Sequence, residues 1–169
     1  MLGSLLVGTS FAKSFALALG IPILEVDHLD AHIMAHFIQD RLKTKNVPSF
    51  PFLCLTVSGG HSQITKVRGH LEFEMVGQTI DDAAGEAFDK VGRLLGLSYP
   101  GGPAIMKAAA GATSHDRRFP RAWMGESYDF SFSGLKTAVS LHVDSLSESD
   151  LKTHLADIAA SFQEALEEK

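Results

Sequence analysis

Cysteine is nearly absent from this chain: Cys54 is the only one. No internal disulfide can form, and its place in the apolar run FPFLCLTV suits a buried small hydrophobe better than a reactive thiol. Long apolar runs are missing too. The most hydrophobic stretch near the start is broken by Ser10, Lys13 and Ser14, and nothing approaches the roughly 20 apolar residues that a membrane span requires. The opening MLGSLLVGTSFAKSF lacks the basic leader, unbroken apolar core and small-residue cleavage site of a secretory signal, so a cytoplasmic location is expected. Basic residues are outnumbered, 15 Lys and Arg against 20 Asp and Glu, for a net charge of −5. Such a chain has no general attraction for phosphates, and any nucleic-acid contact has to be local or shared with another protein. Internal repeats and low-complexity tracts are also lacking.

What is present has the make-up of an α/β protein, with 45% hydrophobic and 21% charged residues and a mixture of strand and helix patterns. Residues 3–20 place leucines and phenylalanines among small residues, which predicts a helix packed closely on a sheet and stopped by Gly20 and Pro22. Residues 21–26 read as a short strand. Residues 27–41 return to helical spacing, with Leu29, Ile33 and Phe37 four apart. The segment 1–47 is thus helix, strand, helix, and the polar run KTKNVPS marks a linker with a boundary near Val47. In the segment 48–169, three β-rich runs over 50–57, 62–67 and 71–76 predict an antiparallel meander. A helix with an acidic first turn follows over 81–95. Short helices and loops are expected over 98–134, and an amphipathic helix over 149–169.

Several groups of residues could carry chemistry. His28 and His32 stand four apart on a predicted helix, so both imidazoles leave one face about one turn apart and can grip one metal ion. Two exposed histidines on an amphipathic helix explain the spacing as well, and two ligands leave a metal short. A zinc protease carries a glutamate directly after the first histidine of such a pair; here that residue is Leu29. His36 continues the series, but a straight helix cannot easily wrap three successive turns around one ion. Thr56 to His61 (TVSGGH) lies between two strands, where glycines let backbone N–H groups approach a phosphate; a plain hairpin turn accounts for the glycines equally. In DDAAGEAFDK, Asp82, Glu86 and Asp89 are placed on one helix face, suited to ribose hydroxyls or a hydrated cation, or simply to a solvated helix start. Tyr99 to Pro103 (YPGGP) reads as a rigid exposed turn, and SFSGLKT sets hydroxyls and Lys136 at a helix start. HDRRFPRAW, residues 115–123, mixes arginines with aromatics as phosphate and base contacts do, or as a solvated loop does.

Taken in order, HLDAH, VSGGHS, IDDAAGEAFDK, YPGGP and FSFSGLKT resemble the bacterial TsaD family, also labelled the glycoprotease or O-sialoglycoprotein endopeptidase family. The resemblance runs from Gly3 to Glu168. It implies the actin-like ATPase fold, a duplicated RNase H-like α/β architecture shared with sugar kinases, here incomplete. The activity implied is tRNA threonylcarbamoyladenosine synthesis by transfer of the threonylcarbamoyl group from L-threonylcarbamoyladenylate to adenosine beside the anticodon. By that resemblance His28 and His32 bind one Fe²⁺ or Zn²⁺ ion per subunit. Thr56, Val57, Ser58, Gly59, Gly60, Asp89 and Gly102 contact the adenylate, with His61 and Glu86 as further candidates. The partners implied are tRNA and TsaB-like and TsaE-like proteins, with no membrane.

Family members carry an acidic residue shortly after PGGP in many cases; this chain has Met106 there, which leaves one ribose contact unsupplied. They are also longer, opening with a strand and glycine-rich turn and closing with an asparagine-bearing nucleotide segment and a metal-binding aspartate. The chain is therefore expected to be an internal piece with impaired activity and open sheet edges. Two other functions compete: a non-catalytic module that docks the partner proteins through the helices of 1–47, and a metalloprotease, against which Leu29 stands.

Overall fold

The computed structural model describes residues 2–38, 47–114, 118–122 and 124–168. The predicted meander is present as β1 (Phe52–Val57), β2 (Ser62–Gly69) and β3 (Glu72–Gln78), an antiparallel sheet in the order β1-β2-β3. Alternation along the strands sorts their side chains. Cys54, Thr65 and Val67 are buried on one face, where α2 (His28–Met34) lays Ile33 on Cys54 and Val67 among Phe50, Phe52 and Phe73. From the same strand, Leu53, Leu55 and Val57 stay 67%, 63% and 56% exposed. The outer edge of β1 has no partner strand among the described residues. The outer edge of β3 is partly closed, because Phe130 bridges Thr79 in parallel and exchanges hydrogen bonds of 3.0 and 3.1 Å with Ile80 and Gln78.

A larger core joins four helices: α3 (Ala84–Leu94), α4 (Gly101–Ala109), α5 (Ser133–Asp144) and α6 (Glu148–Glu167). The apolar face expected of the last helix supplies Ile158, Ala159 and Phe162, which meet Val91 of α3, Ile105 of α4 and Leu135 and Val139 of α5. Each large side chain fully removed from water contributes about 1.5–3 kcal/mol. Phe162 adds an edge-on contact with Phe88, centroids 5.3 Å apart. The start of α6 is fixed by Ser147, whose hydroxyl accepts from the Asp150 N–H at 3.1 Å, with Glu148 and Asp150 in the first turn, where the helix dipole favours acids.

Four expectations need correction. The first helix, α1 (Leu2–Leu19), forms where predicted but does not pack on a sheet: Leu5, Leu6, Phe11, Phe15 and Leu17 are exposed, and among its described side chains only Ala16 is buried. One sheet face is occupied by α2, and the other, with Leu53, Leu55 and Val57, is left uncovered by α1. Residues 21–26 form no strand, since a strand needs a neighbour to satisfy its backbone groups and none reaches this one among the described residues. The second helix is shorter than its periodicity implied, ending at Met34 and continuing only as a 3-10 turn, Ala35–Phe37; residues 39–46, most of the expected linker, lie outside the described residues. Finally, α3 opens at Ala84 rather than at 81, and the exposed turn expected over 99–103 instead leads straight into α4 at Gly101.

Candidate functional site

Asp27 sets the histidine pair in place. Its carboxylate accepts the N–H groups of Leu29 and Asp30 at 2.8 and 3.1 Å, an N-cap that starts α2 at His28. The four-residue spacing then brings the two rings together edge to face, centroids 4.5 Å apart, with Nε2 of His28 and Nε2 of His32 separated by 3.2 Å. Two imidazole nitrogens bound to one tetrahedral zinc at its usual bond length lie about 3.3 Å apart. The pair therefore fits two of the positions around such an ion, and both rings are exposed to receive it. A single N–H···N hydrogen bond between neutral rings gives the same separation. No third His, Cys, Asp or Glu joins them among the described residues. His36 turns elsewhere: it lies in the 3-10 turn with Nε2 at 4.0 Å from the Cys54 sulfur.

The glycine loop and the two later motifs converge on α3. Within the loop, the Ser58 hydroxyl accepts from the N–H groups of Gly60 and His61 at 3.2 and 2.9 Å, and the Ser58 N–H donates to the His61 carbonyl at 2.8 Å. These bonds close the β1–β2 connection tightly. The loop sits on the first turn of α3, where the Gly85 N–H donates to the Ser58 carbonyl at 3.2 Å. Any side chain at position 85 would stand 2.8 Å from the Gly59 Cα and 2.9 Å from the Ser58 carbonyl oxygen. From the strand beside it, the buried Ser62 hydroxyl accepts the Ala84 N–H at 2.9 Å.

One turn further along α3, the Asp89 carboxylate accepts the Gly101 N–H at 2.7 Å. A side chain at Gly101 would meet the Asp89 Cα at 2.6 Å, and one at Gly92 would meet the Gly101 Cα at 3.1 Å. The face formed by Gly85, Asp89 and Gly92 is thus a narrow backbone-lined stripe. Ser58 to Gly60 occupy one end of it and Gly101, next to Gly102, the other. Thr56 and Val57 lead into the loop from β1. His61 is exposed, Glu86 is half-buried and Met106 is exposed on α4. The packing roles of Gly85, Gly92 and Gly101 are not among the sequence expectations; the spacing of four and three from Gly85 through Asp89 to Gly92 along DDAAGEAFDKVG was the available signal.

Asp82 does not share a helix face with Glu86 and Asp89, because α3 begins after it. It sits in the lead-in and pairs with Lys90 at 2.8 Å and with Lys136 of α5. Burial pushes the Asp82 carboxyl up, and hydrogen bonds and charge from Lys136 and Lys90 outweigh that to hold it below its ordinary value. Asp81 reaches the other way. It accepts from the Ser131 hydroxyl and from the N–H groups of Phe132 and Ser133, the last two at 2.9 and 3.3 Å, and so caps α5 from 50 residues away. In the basic aromatic run, residues 115–117 and Trp123 lie outside the described residues. Phe119 is buried rather than free to stack, and Arg121 is engaged with Glu168 at 2.9 Å.

A family model described as TsaD, tRNA N6-adenosine threonylcarbamoyltransferase, matches residues 1–169. Curated relatives carry the same description. The protein of Porphyromonas gingivalis is 52% identical over 166 residues, covering 96% of this chain and 48% of its own length. That of Riemerella anatipestifer is 49% identical with the same coverage, and that of Thermomicrobium roseum is 53% identical over 141 residues, 81% of this chain and 38% of its own. The chain spans about half the length of the curated relatives it matches. Its antiparallel sheet and flanking helices accordingly form an incomplete α/β actin-like fold. With a match along its whole length and relatives near half identity, the chain belongs to the TsaD family.

Proposed function

We propose that this chain supplies part of the site that transfers the threonylcarbamoyl group of L-threonylcarbamoyladenylate to adenosine beside the anticodon of tRNA, in the cytoplasm. The observation that carries the reading is the α3 stripe, where close backbone packing at Gly85 and Gly101 fixes two glycine-rich edges on one helix and leaves open space at Gly59, Gly60 and Gly102. Gly59 and Gly60, with open space where a side chain would stand, let the adenylate phosphate approach the loop backbone, with Thr56, Val57 and Ser58 behind them. Asp89 holds Gly101, and with it Gly102, against the place where the ribose rests, with His61 and Glu86 at its margin.

His28 and His32 would hold an iron or zinc ion, which imidazole ligands serve equally. The chemistry that ion supplies is polarisation of the carbamoyl carbonyl as a Lewis acid. The protein's own contribution is positioning. The exocyclic amine of adenosine bonds to the carbamoyl carbon, the bond from that carbon to the phosphate oxygen breaks, AMP leaves and the amine gives up one proton. No residue of this chain is assigned as the base.

Deleting the gene should remove threonylcarbamoyladenosine from bulk tRNA, as read by mass spectrometry of digested nucleosides, and restoring it should return the modification. Unchanged modification in the deletion strain would exclude the reading. A second reading rests on α1, whose apolar side chains stand in solvent. It makes the chain a docking module for TsaB-like and TsaE-like proteins and predicts that His28→Ala with His32→Ala leaves partner capture intact. Among the described residues no helix is long and apolar enough to cross a membrane.

A further inference from the structure

The face of α3 next to the glycine stripe has a different character. Residues 86, 90 and 93 follow one another along it, and across from Lys90 and Arg93 stands α5. Between the two helices lies a cleft of 410 Å³ lined by Lys90, Arg93, Ser133, Lys136, Thr137 and Ser140, together with one leucine and no carboxylate. We propose that this cleft holds the sugar-phosphate backbone of tRNA beside the adenylate site.

Three cations in two facing rows are the donors that phosphate oxygens take, while the hydroxyls beside them are engaged within α5 and its lead-in, Ser133 with Ser131, Thr137 with the Ser133 carbonyl and Ser140 with Asp144. Spacings of three on α3 and of three and four on α5 keep each row on one helix face. Two of the cations are already fixed in direction. Lys90 is held by Asp82 at 2.8 Å and Glu86 at 2.9 Å, and Lys136 by Asp82. Three cations against these two carboxylates leave one positive charge over, and Arg93 carries it: exposed, it has no ion-pair partner among the described residues. A guanidinium is also the group best shaped for a phosphate. The chain as a whole is acidic, with a net charge of −5, so a polyanion repelled elsewhere is directed here. The inference rests on the transfer reading above, since one helix then presents one face to each of the two substrates that must meet.

The test is fluorescence anisotropy of labelled tRNA with the purified chain across a range of salt concentrations, with circular dichroism confirming that each variant is folded. Arg93→Glu should weaken binding about tenfold at low salt and lower the slope of log affinity against log salt by about one. Arg93→Gln should fall between it and the parent, and Arg93→Lys should stay close to the parent. Wild-type affinity and slope in Arg93→Glu and Lys90→Gln alike, or no tRNA binding by the parent chain, would overturn the proposal. The nucleoside analysis of the deletion strain separates the two claims. Modification that depends on the gene while Arg93→Glu binds normally sinks the cleft alone, and Arg93-dependent binding with unchanged modification sinks the transfer reading alone.

Discussion

Asp81 performs for α5 the task that a serine or aspartate ordinarily performs from the residue just before a helix. Burial pushes its carboxyl up, but hydrogen bonds from Ser131, Phe132 and Ser133 outweigh that and leave it below the ordinary value of 3.8. Because the folded value is the lower one, the carboxylate contributes its full stability above about pH 5 and loses it as pH falls through 3.8 and beyond. Asp81→Asn should therefore cost about 1 kcal/mol near neutral pH, as loss of a helix cap does, and its melting temperature should approach that of the parent as pH falls below 3.8. Parallel curves over that range would refute the assignment. The histidine pair makes a second residue-scale prediction. His28→Ala or His32→Ala alone should reduce the iron or zinc retained after dialysis by tenfold or more, since one imidazole leaves no chelate; unchanged metal content would place the ion elsewhere.

At the scale of elements, α3 is clamped by the loop at Gly85 and by α4 at Gly101. Gly85→Ala pushes a methyl group into the Gly59 backbone, and overpacking of this kind costs about 1–3 kcal/mol. The variant should melt lower and bind an adenylate analogue more weakly by calorimetry; an unaltered protein would show that the loop yields freely. The elements themselves were largely readable. Alternating β-branched and aromatic residues located the three strands, and the apolar face of α6 located that helix to within a residue or two. Residues 21–26 misled because strand propensity describes a fit to neighbours, and the neighbour is not in the described chain. Asp81 and Asp82 misled for a related reason. Acidic residues before a helix look like its own first turn, whereas their partners, Lys136 and the start of α5, lie about 50 residues on. The motif residues were visible as glycines and histidines, but which backbone each glycine touches is a property of three dimensions.

The whole molecule has two unequal cores, one around Ile33, Cys54 and Val67 and one joining the four later helices. Phe162→Ala empties the centre of the larger core and should cost about 3–5 kcal/mol, enough in urea melts to unfold a marginal protein; a loss below about 1 kcal/mol would mean the helices do not fold as one unit. The sheet is asymmetric in another sense, partly closed at β3, where Phe130 bridges Thr79, and open at β1 among the described residues. A strand added at β1 would extend it along the whole length of that edge. Backbone amides on β1 alternate between those bonded to β2 and those pointing outward, so hydrogen exchange should divide the strand into a slow set and a fast set. Protection gained by the fast set alone, when any other polypeptide is added, would report that this edge had been covered without a label or a mutation.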